Sequence, residues 1–193
     1  MHNIDLLIIE SQLQRDIDQG FKEGQVLRDV LAHDGLAIGY RHVSSRAQLS
    51  NVLKDFSEEI RSKNKSRIPA IHIAAHGHDD AMSLTDGDQI PWIDFWKMFM
   101  FFADDPIILI GLSTCEGMHS TKIAQGIPKL PVAFLVGSDE NIIMGDSLIG
   151  FSIFYHLLIK KELDIDDAID SMNKGINANV FQSKLISSFE DRS

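Results

Sequence analysis

The sequence has 193 residues, a formal net charge of −10 and a hydrophobic content of 44%. This length and composition are typical of one compact globular domain, which we assign to residues 1–193. The negative charge argues against general nucleic-acid binding, because such binding depends on Lys and Arg side chains that neutralise phosphates. The one basic cluster, at residues 61–67, is short and is interpreted as the solvated end of a helix.

The chain carries no recognisable targeting or membrane signal. Its first ten residues, MHNIDLLIIE, have no basic lead and no small-residue cleavage site, so they do not predict a signal peptide. The apolar segment at residues 95–102 is far shorter than the ~20 residues of a membrane span, and it contains Lys97. Cys115 is the only cysteine, which excludes an internal disulfide. We therefore expect a cytoplasmic protein with no membrane partner and no cofactor.

Strand and helix signals alternate along the chain. Six strands are predicted, at residues 4–11, 36–43, 68–75, 106–113, 131–138 and, as an edge strand, 180–188. Helices are predicted between and after them, at residues 12–33, 44–64, 92–102, 118–125, 146–161 and 165–173. A hairpin is predicted around the Thr-Asp-Gly-Asp turn at residues 85–88. This alternation predicts an α/β three-layer sandwich with a mostly parallel sheet covered on both faces.

The helix at residues 44–64 has the clearest pattern. Ser44 or Ser45 can serve as its N-cap. Its apolar residues recur at helical spacing and predict one buried face: Leu49, Val52, Leu53, Phe56 and Ile60.

The candidate functional residues follow the predicted strands. His76 and Gly77 come at the end of the third strand, and Cys115 comes just past the end of the fourth. Three polar residues follow the fifth strand: Ser138, Asp139 and Glu140. Functional residues of open parallel sheets gather at the carboxyl ends of the strands, so we expect these loops to open onto one rim.

Cys115 has the setting of a reactive residue. It follows an apolar run, stands among small residues and precedes Gly117, where a side chain can emerge from the sheet. A peptidase cysteine must be reachable and must attack as the thiolate. It also needs a group that returns a proton to the leaving amine, and His76 can do this if the third and fourth strands are neighbours. The alternative is that Cys115 is a small buried core residue.

Two segments, IHIAAHG at residues 71–77 and IILIGLSTC at 107–115, together resemble the caspase-like clan of cysteine peptidases. That clan includes caspases, metacaspases, clostripain, separase and CHAT-domain proteins. The resemblance lies in an apolar strand that ends in His-Gly and a later apolar strand that ends near Cys. It extends over about residues 3–175 and is nearest to the CHAT and clostripain-like branches. Ser-Thr-Cys-Glu-Gly stands where caspases have Gln-Ala-Cys-Arg-Gly, so caspase-type aspartate specificity is not implied.

The resemblance implies a caspase-like fold and a Cys-His dyad that cleaves protein or peptide substrates in regulated proteolysis. Cys115 would attack the scissile carbonyl, His76 would act as general acid/base, and the N–H groups of Gly77 and Cys115 would bind the oxyanion. A glycine after the histidine suits this role because no Cβ blocks the substrate carbonyl. The clan requires no third residue. A homodimer or a regulatory protein partner is compatible with this assignment, and the sequence does not decide whether the chain dimerises through its last strand.

Four acidic residues lie on or near the predicted rim: Glu116, Asp139, Glu140 and Asp146. An acidic pocket would favour a Lys or Arg side chain in the substrate. Asp139 is the best single candidate because it follows the fifth strand directly. The alternative is that all four are ordinary solvated loop charges.

A zinc-dependent hydrolase is the strongest rival interpretation. His72, His76 and His78 share parity, so an extended strand would point all three to one face, with Cys115 as a possible fourth ligand. The segment HGHDDA approaches the His-x-His-x-Asp-His motif of the metallo-β-lactamase fold, but Ala81 replaces its last histidine. The chain before these histidines also alternates strand and helix, whereas the metallo-β-lactamase fold requires β-rich halves. We therefore assign no metal, and interpret His72 as a neutral packed histidine and His78 as a loop residue.

Three other functions are alternatives. Residues 111–115, GLSTC, begin like the Gly-x-Ser-x-Gly elbow of serine hydrolases but end in Cys. A flavodoxin- or receiver-like binding module would carry a Gly-rich phosphate loop after the first strand, where Glu-Ser-Gln stands. A degenerate peptidase domain that acts only in protein interaction is the third, and the intact pair of His76 and Cys115 argues against it.

Overall fold

The computed structural model describes residues 4–62 and 68–187. Within these residues it is an α/β structure with a mostly parallel, open sheet of eight strands. The strands are β1 (Ile4–Ser11), β2 (Ile38–His42), β3 (Ile68–Gly77), β4 (Ala81–Ser83), β5 (Gln89–Pro91), β6 (Ile107–Ser113), β7 (Val132–Ser138) and β8 (Phe181–Leu185). The helices are α1 (Gln14–Asp18), α2 (Glu23–His33), α3 (Arg46–Ser62), α4 (Trp92–Met98), α5 (Thr121–Gln125), α6 (Met144–Tyr155) and α7 (Ile165–Gly175).

The main sheet has the strand order β2-β1-β3-β6-β7-β8. Its first five strands are parallel, and β8 is an antiparallel edge strand. The β4–β5 hairpin extends from the end of β3. Because β2 lies on one side of β1 and β3 on the other, the order of strand addition reverses between β1 and β3. Ligand sites of open α/β sheets lie at the carboxyl ends of strands at such a switch point.

The apolar side chains divide into two clusters because successive strand residues face opposite ways. β1 contributes Leu7 and Ile9 to one cluster, which includes α3 and α4, and it contributes Leu6 and Ile8 to the other, which includes α2, α6 and α7. The predicted face of α3 is confirmed, with four residues buried and Val52 packed against them: Leu49, Leu53, Phe56 and Ile60.

The predicted strands and the hairpin are confirmed, with small shifts of their ends. The edge strand predicted near the end of the chain is β8. β3 runs two residues further than predicted, so His76 and Gly77 belong to the strand and pair with β4. At α3, Ser45 Oγ accepts a hydrogen bond from the N–H of Gln48, as an N-cap does. Most of the basic cluster, residues 63–67, lies outside the described residues.

The single long helix predicted at residues 12–33 was wrong. Two helices, α1 and α2, occupy this stretch, and α1 ends after five residues. Gly20 has a left-handed φ of 83°. The N–H of Gly20 donates to the carbonyl of Ile17, and the N–H of Phe21 donates to the carbonyl of Asp16. These two bonds are the Schellman motif, which ends helices at a glycine. The segment DQGF therefore stops α1 and lets the chain turn before α2 begins.

Three other predicted helices differ in their ends. The stretch at residues 92–102 is α4 followed by a 3₁₀ turn at Phe99–Phe102, and a 3₁₀ turn at Gly117–Ser120 precedes α5. α6 begins at Met144 and continues into a π-helical turn at His156–Lys160. None of the helices in the two described stretches is both long and apolar enough to cross a membrane.

Candidate functional site

The carboxyl ends of β1, β3, β6 and β7 lie side by side at one edge of the sheet. β3 and β6 are parallel neighbours, and their pairing runs up to Ala74 opposite Ser113. His76, near the end of β3, and Cys115, two residues beyond β6, therefore lie at the same edge. This adjacency is the condition under which His76 can serve Cys115.

Gly77 brings the two segments into direct contact. A Cβ built on Gly77 would lie 2.8 Å from the carbonyl oxygen of Cys115 and 2.9 Å from Cβ of Thr114. Real Cβ atoms do not approach backbone this closely, so only glycine permits this packing. Gly117 has a similar role on the other side, because a Cβ there would collide with the hydroxyl of Thr114. Gly77 thus lets the Thr114–Cys115 segment pack against the end of β3, and Gly117 lets the following turn pack against Thr114.

Asp16 is a functional candidate that the sequence pattern did not indicate. Its Oδ2 lies 2.6 Å from Nε2 of His76, and only 13% of the Asp16 side chain is exposed, against 35% for His76. α1 carries Asp16 into this position from the end of β1, the strand next to β3. In the sequence, Asp16 cannot be distinguished from the other polar residues of a long surface helix. The one available signal was the helix-ending segment DQGF, which separates α1 from α2.

Cys115 is half-buried at the edge of the sheet. Its Sγ lies 3.9 Å from the carbonyl oxygen of Ile142, and in the described part of the chain no hydrogen bond joins it to the His76 ring. Catalytic hydrogen bonds often tighten only when substrate binds. The next residue, Glu116, has a left-handed φ of 57°, and its N–H bonds to the carbonyl of Glu140 at 3.2 Å. The Cys115 turn is therefore tied to the loop after β7.

Two backbone N–H groups near Cys115 are not used by the sheet. The N–H of Cys115 has no hydrogen-bond partner among the residues that the structure describes. In the β3–β4 ladder, the N–H of His78 bonds to the carbonyl of Ala81 at 3.0 Å. Antiparallel pairs alternate between bonded and non-bonded, so the next pair, Gly77 with Met82, is non-bonded and the Gly77 N–H points away from β4.

A buried carboxyl lies behind the site. Glu23, the first residue of α2, is only 5% exposed and accepts a hydrogen bond from Ser113, which also contacts the hydroxyl of Ser147. Burial raises the pKa of Glu23 to about 7, the two serines partly oppose the shift, and Glu10 adds to it. Because Ser113 is buried against a carboxyl, it lacks the exposed hydroxyl beside a histidine that the serine-hydrolase alternative requires.

The four predicted acidic residues occupy different settings. Asp139 and Glu140 are exposed in the loop after β7, whereas Glu116 and Asp146 are half-buried. The backbone bond between Glu116 and Glu140 draws two of them together. The N–H of Glu140 also bonds to Oγ of Ser138, which fixes the loop. This loop and the Cys115 turn thus form one acidic border of the site.

The three histidines of the zinc alternative do not converge. His72 is fully buried, its Nδ1 lies 3.2 Å from the Tyr155 hydroxyl, and burial lowers its pKa to about 3, so its assignment as a neutral packed histidine is confirmed. His78 lies in the β3–β4 turn, where its Nδ1 accepts a hydrogen bond from the N–H of Asp80. Over residues 4–62 and 68–187, the one group of three potential ligands is half-buried His78 with the exposed residues Asp79 and Asp80.

No family model and no curated protein matches the sequence. The chemistry of the rim therefore rests on its own residues. These are a half-buried thiol, an imidazole held by a largely buried carboxylate, a Gly77 N–H that points away from β4, and a Cys115 N–H without a partner among the described residues.

Proposed function

We propose that this protein is a cysteine peptidase with a caspase-like, three-layer α/β/α fold. The observation that carries the proposal is the packing of His76–Gly77 against the Thr114–Cys115 segment, with the Asp16 carboxylate 2.6 Å from the His76 ring. A nucleophile, a base and a group that orients the base are the parts that covalent acyl transfer needs. A cytoplasmic location, expected from the single cysteine, belongs to the same proposal.

In the first half of the reaction, the Cys115 thiolate attacks the carbonyl carbon of the scissile peptide. A C–S bond forms and the carbonyl electron pair moves onto oxygen. The His76 imidazolium gives its proton to the peptide nitrogen, the C–N bond breaks and the amine leaves. In the second half, His76 takes a proton from water, the resulting hydroxide attacks the thioester, and the acid product and the Cys115 thiolate are released.

The Asp16 contact decides which nitrogen of His76 exchanges protons. Nε2 faces the Asp16 carboxylate, so Nε2–H donates to Asp16 and Nδ1 is left for Cys115 and the leaving amine. Asp16 is therefore a positioning residue that fixes the ring and its tautomer and stabilises the imidazolium. A carboxylate that holds a catalytic histidine in this way does not need to take up the proton itself.

The N–H groups of Gly77 and Cys115 are the proposed oxyanion donors. The Cys115 N–H has no backbone bond to another described residue, and the Gly77 N–H is not used in the β3–β4 ladder. Donors of this kind stabilise the charge that develops on the carbonyl oxygen, and removal of one donor costs about 10²–10³ in rate. The absence of a Cβ at Gly77 also leaves room for the substrate carbonyl beside the Cys115 turn.

We further propose that the acidic border selects protein or peptide substrates with Lys or Arg near the scissile bond. Glu116, Glu140 and Asp139 belong to the two loops that meet beside Cys115, and Asp146 is in the first turn of α6. Carboxylates clustered on one side of a site attract cationic side chains and repel acidic ones. This preference differs from the aspartate specificity of caspases.

A binding module without catalysis is the second candidate. The five parallel strands have the flavodoxin-like order, in which the second strand precedes the first across the sheet. The Cys115 sulfur also lies against the Ile142 carbonyl rather than against His76. A binding module does not, however, require a glycine at residue 77 or a carboxylate on His76.

The proposal is tested by labelling with a peptidyl chloromethyl ketone that carries Arg next to the reactive carbon. We expect one label per chain on Cys115, hydrolysis of basic peptides by the unlabelled protein, and neither reaction in Cys115→Ala. Asp16→Asn should lower kcat by about tenfold to 100-fold with little change in KM, because the ring loses its orientation but substrate contacts remain. Asp16→Glu should restore part of the rate.

His78→Ala is the matched control, because His78 lies two residues from His76 and outside the proposed dyad. It should keep full activity, and chelators should have no effect. Zinc chemistry would instead make both His78→Ala and chelation inactivating. A chain that neither cleaves basic peptides nor reacts at Cys115 faster than a free thiol would be the binding module.

A further inference from the structure

The helices of the two apolar clusters differ in their outer faces. Along its whole described length, α3 exposes no large apolar side chain, and its exposed residues include Lys54, Asp55, Glu58 and Arg61. A surface helix normally turns such charged residues outward. The helices α2 and α6, which pack against each other, instead expose apolar side chains. These are Val26 (42%), Val30 (46%) and Ile149 (51%). Apolar residues exposed together on adjacent helices indicate a contact surface.

An open groove joins the exposed residues of α2 to those of α6. It has a volume of about 450 Å³, and its walls include Val30 from α2 and Ile153 from α6. Val26 lies one turn before Val30, and Ile149 lies one turn before Ile153, so each pair shares one face of its helix. We call this surface the α2–α6 face and define it by Val26, Val30, Ile149 and Ile153.

The outer residues of α6 form a stripe that is complementary to its own reverse. Asp146, Ile149, Ile153 and His156 recur at spacings of three and four residues, which places them on one side of the helix. The stripe starts with an acid in the first turn of α6, is apolar in the middle and ends with a histidine at the start of the π-helical turn. The acid–histidine pair and the isoleucine pair are both centred on position 151. An antiparallel copy of the stripe would therefore set Ile149 against Ile153 and Asp146 against His156.

His156 is held in place and keeps one ring nitrogen for a second partner. Its Nδ1 lies 2.7 Å from Oδ2 of Asp34, the residue that ends α2, and 39% of the His156 side chain is exposed. Among the described residues, none forms a hydrogen bond with its Nε2. A protonated imidazole donates from both nitrogens, so His156 can bridge Asp34 and a second carboxylate. Lys160, exposed one turn further on, adds positive charge at the same end of the stripe.

We propose that the α2–α6 face binds a second copy of this chain about a two-fold axis, with the two α6 helices antiparallel. A two-fold interface uses the same patch on both copies, so that patch must be complementary to itself. The α6 stripe meets this condition in both polarity and charge. Ile149 of each copy packs against the partner's Ile153, and Asp146 faces the partner's His156. Val26 and Val30 widen the apolar centre, and the charged pairs lie at its two ends.

The dimer does not depend on the peptidase proposal, because its contacts include neither His76 nor Cys115. It also uses a different surface from the edge strand β8. Asp146 is the one residue that it shares with the acidic border of the site. In the dimer this carboxylate pairs with a histidine, and the other three acidic residues of the border stay available to a substrate.

Sedimentation velocity of the full chain, at concentrations from about 1 µM to about 500 µM, tests the dimer. The parent should show a reversible monomer–dimer equilibrium. Ile149→Glu should weaken dimerisation by at least about 100-fold, because two carboxylates would be buried against isoleucine. Asp146→Asn should weaken it by about tenfold, because two symmetric ion pairs are lost. A parent that stays monomeric over this range, or an Ile149→Glu variant that dimerises as the parent does, would overturn the proposal.

Leu185→Glu is the matched control, because Leu185 is 53% exposed, much like Ile149, but lies on the edge strand β8. It should dimerise like the parent. Loss of the dimer in Leu185→Glu together with an intact dimer in Ile149→Glu would place the contact at the β8 edge and contradict the proposed face. Far-UV circular dichroism establishes that both variants are folded, as the exposure of the two side chains leads us to expect.

Mixtures of charged variants test the antiparallel register. Ile149→Glu and Ile153→Lys should each be monomeric, and their mixture should form a dimer, because the new glutamate meets the new lysine and the second isoleucine pair is unchanged. Ile149→Glu mixed with Ile149→Lys should stay monomeric, because the two substituted positions are not opposed. With folded variants, a first mixture that stays monomeric or a second mixture that dimerises would rule out the register centred on position 151. Recovery of a dimer on mixing requires folded chains, so unfolding of a variant cannot imitate it.

Discussion

Two histidines of β3 lie in opposite settings. His72, in the middle of the strand, is fully buried between Phe151 and Tyr155, and burial lowers its pKa to about 3. His76 is four residues further along, has a ring 35% exposed and contacts Asp16 at 2.6 Å. Both positions have the same parity along the strand. Depth in the sheet, and not residue type or strand face, therefore decides which histidine can exchange protons with solvent.

The largest contrast should come from the same substitution at both positions. His76→Gln should lower kcat/KM for a basic peptide by at least about 10³-fold, because the proton donor to the leaving amine is lost, and should leave the free energy of unfolding nearly unchanged. His72→Gln should keep activity within about threefold and lower the midpoint of urea unfolding. A reversed pattern in these two measurements would make His72 the functional histidine.

Glu23 extends the contrast to acids, because this residue of α2 is also buried and its pKa shifts in the opposite direction. Its pKa is raised from an ordinary value of 4.5 to about 7 in the folded chain. The unfolded chain therefore loses its proton first as pH rises, so the stabilisation by the protonated form is complete below about pH 4.5 and is lost through pH 7. The unfolding free energy of the parent minus that of Glu23→Gln should fall by about 3 kcal/mol over this range.

The unfolding free energies of the parent and of Glu23→Gln must be subtracted, because the depressed pKa of His72 changes the stability of both proteins with pH in the opposite direction. The contribution of His72 is present above its unfolded pKa of about 6.5 and is lost as pH falls toward 3. It is common to the parent and to Glu23→Gln, and so it cancels. Glu58→Gln, on the exposed side of α3, is the matched control for replacing a carboxyl by an amide. A difference that does not change with pH for Glu23→Gln would mean that Glu23 is ionised in the folded protein at neutral pH.

The smallest expected effect concerns the glycine beside His72. A Cβ on Gly111 would lie 2.5 Å from the Tyr155 hydroxyl and 3.0 Å from Nδ1 of His72, so Gly111→Ala should destabilise the fold by about 2 kcal/mol. A Cβ on Gly145, in the first turn of α6, meets nothing within 4 Å. Gly145→Ala should be neutral or about 0.5 kcal/mol stabilising. Thermal unfolding of the two variants gives this comparison directly.

Much of the fold was predictable because it depends on local patterns. Apolar runs of strand length predicted the parallel strands, and the Thr-Asp-Gly-Asp turn predicted the hairpin, whose Gly87 has a left-handed φ of 90°. The arrival of His76 and Cys115 at one edge followed from their places at strand ends. The end of α1 was also readable, since DQGF is a helix stop, but the polar stretch around it resembles a continuous surface helix.

The partners of the site could not be predicted in the same way. Asp16 and His76 are 60 residues apart, and Ser113 and Glu23 are 90 apart. Such contacts depend on which strands become neighbours and on how each loop leaves its strand, and neither is encoded in local periodicity.

The single, half-buried cysteine has a consequence for redox chemistry. Oxidation of a thiolate first gives a sulfenic acid, which a second thiol can convert to a disulfide and so protect from further oxidation. These 193 residues contain no second thiol. An oxidised Cys115 can therefore be rescued only by a thiol from outside this sequence, such as a glutathione-type reductant. Without that supply, the chain would proceed to the irreversible sulfinic state at the one atom on which the proposed chemistry depends.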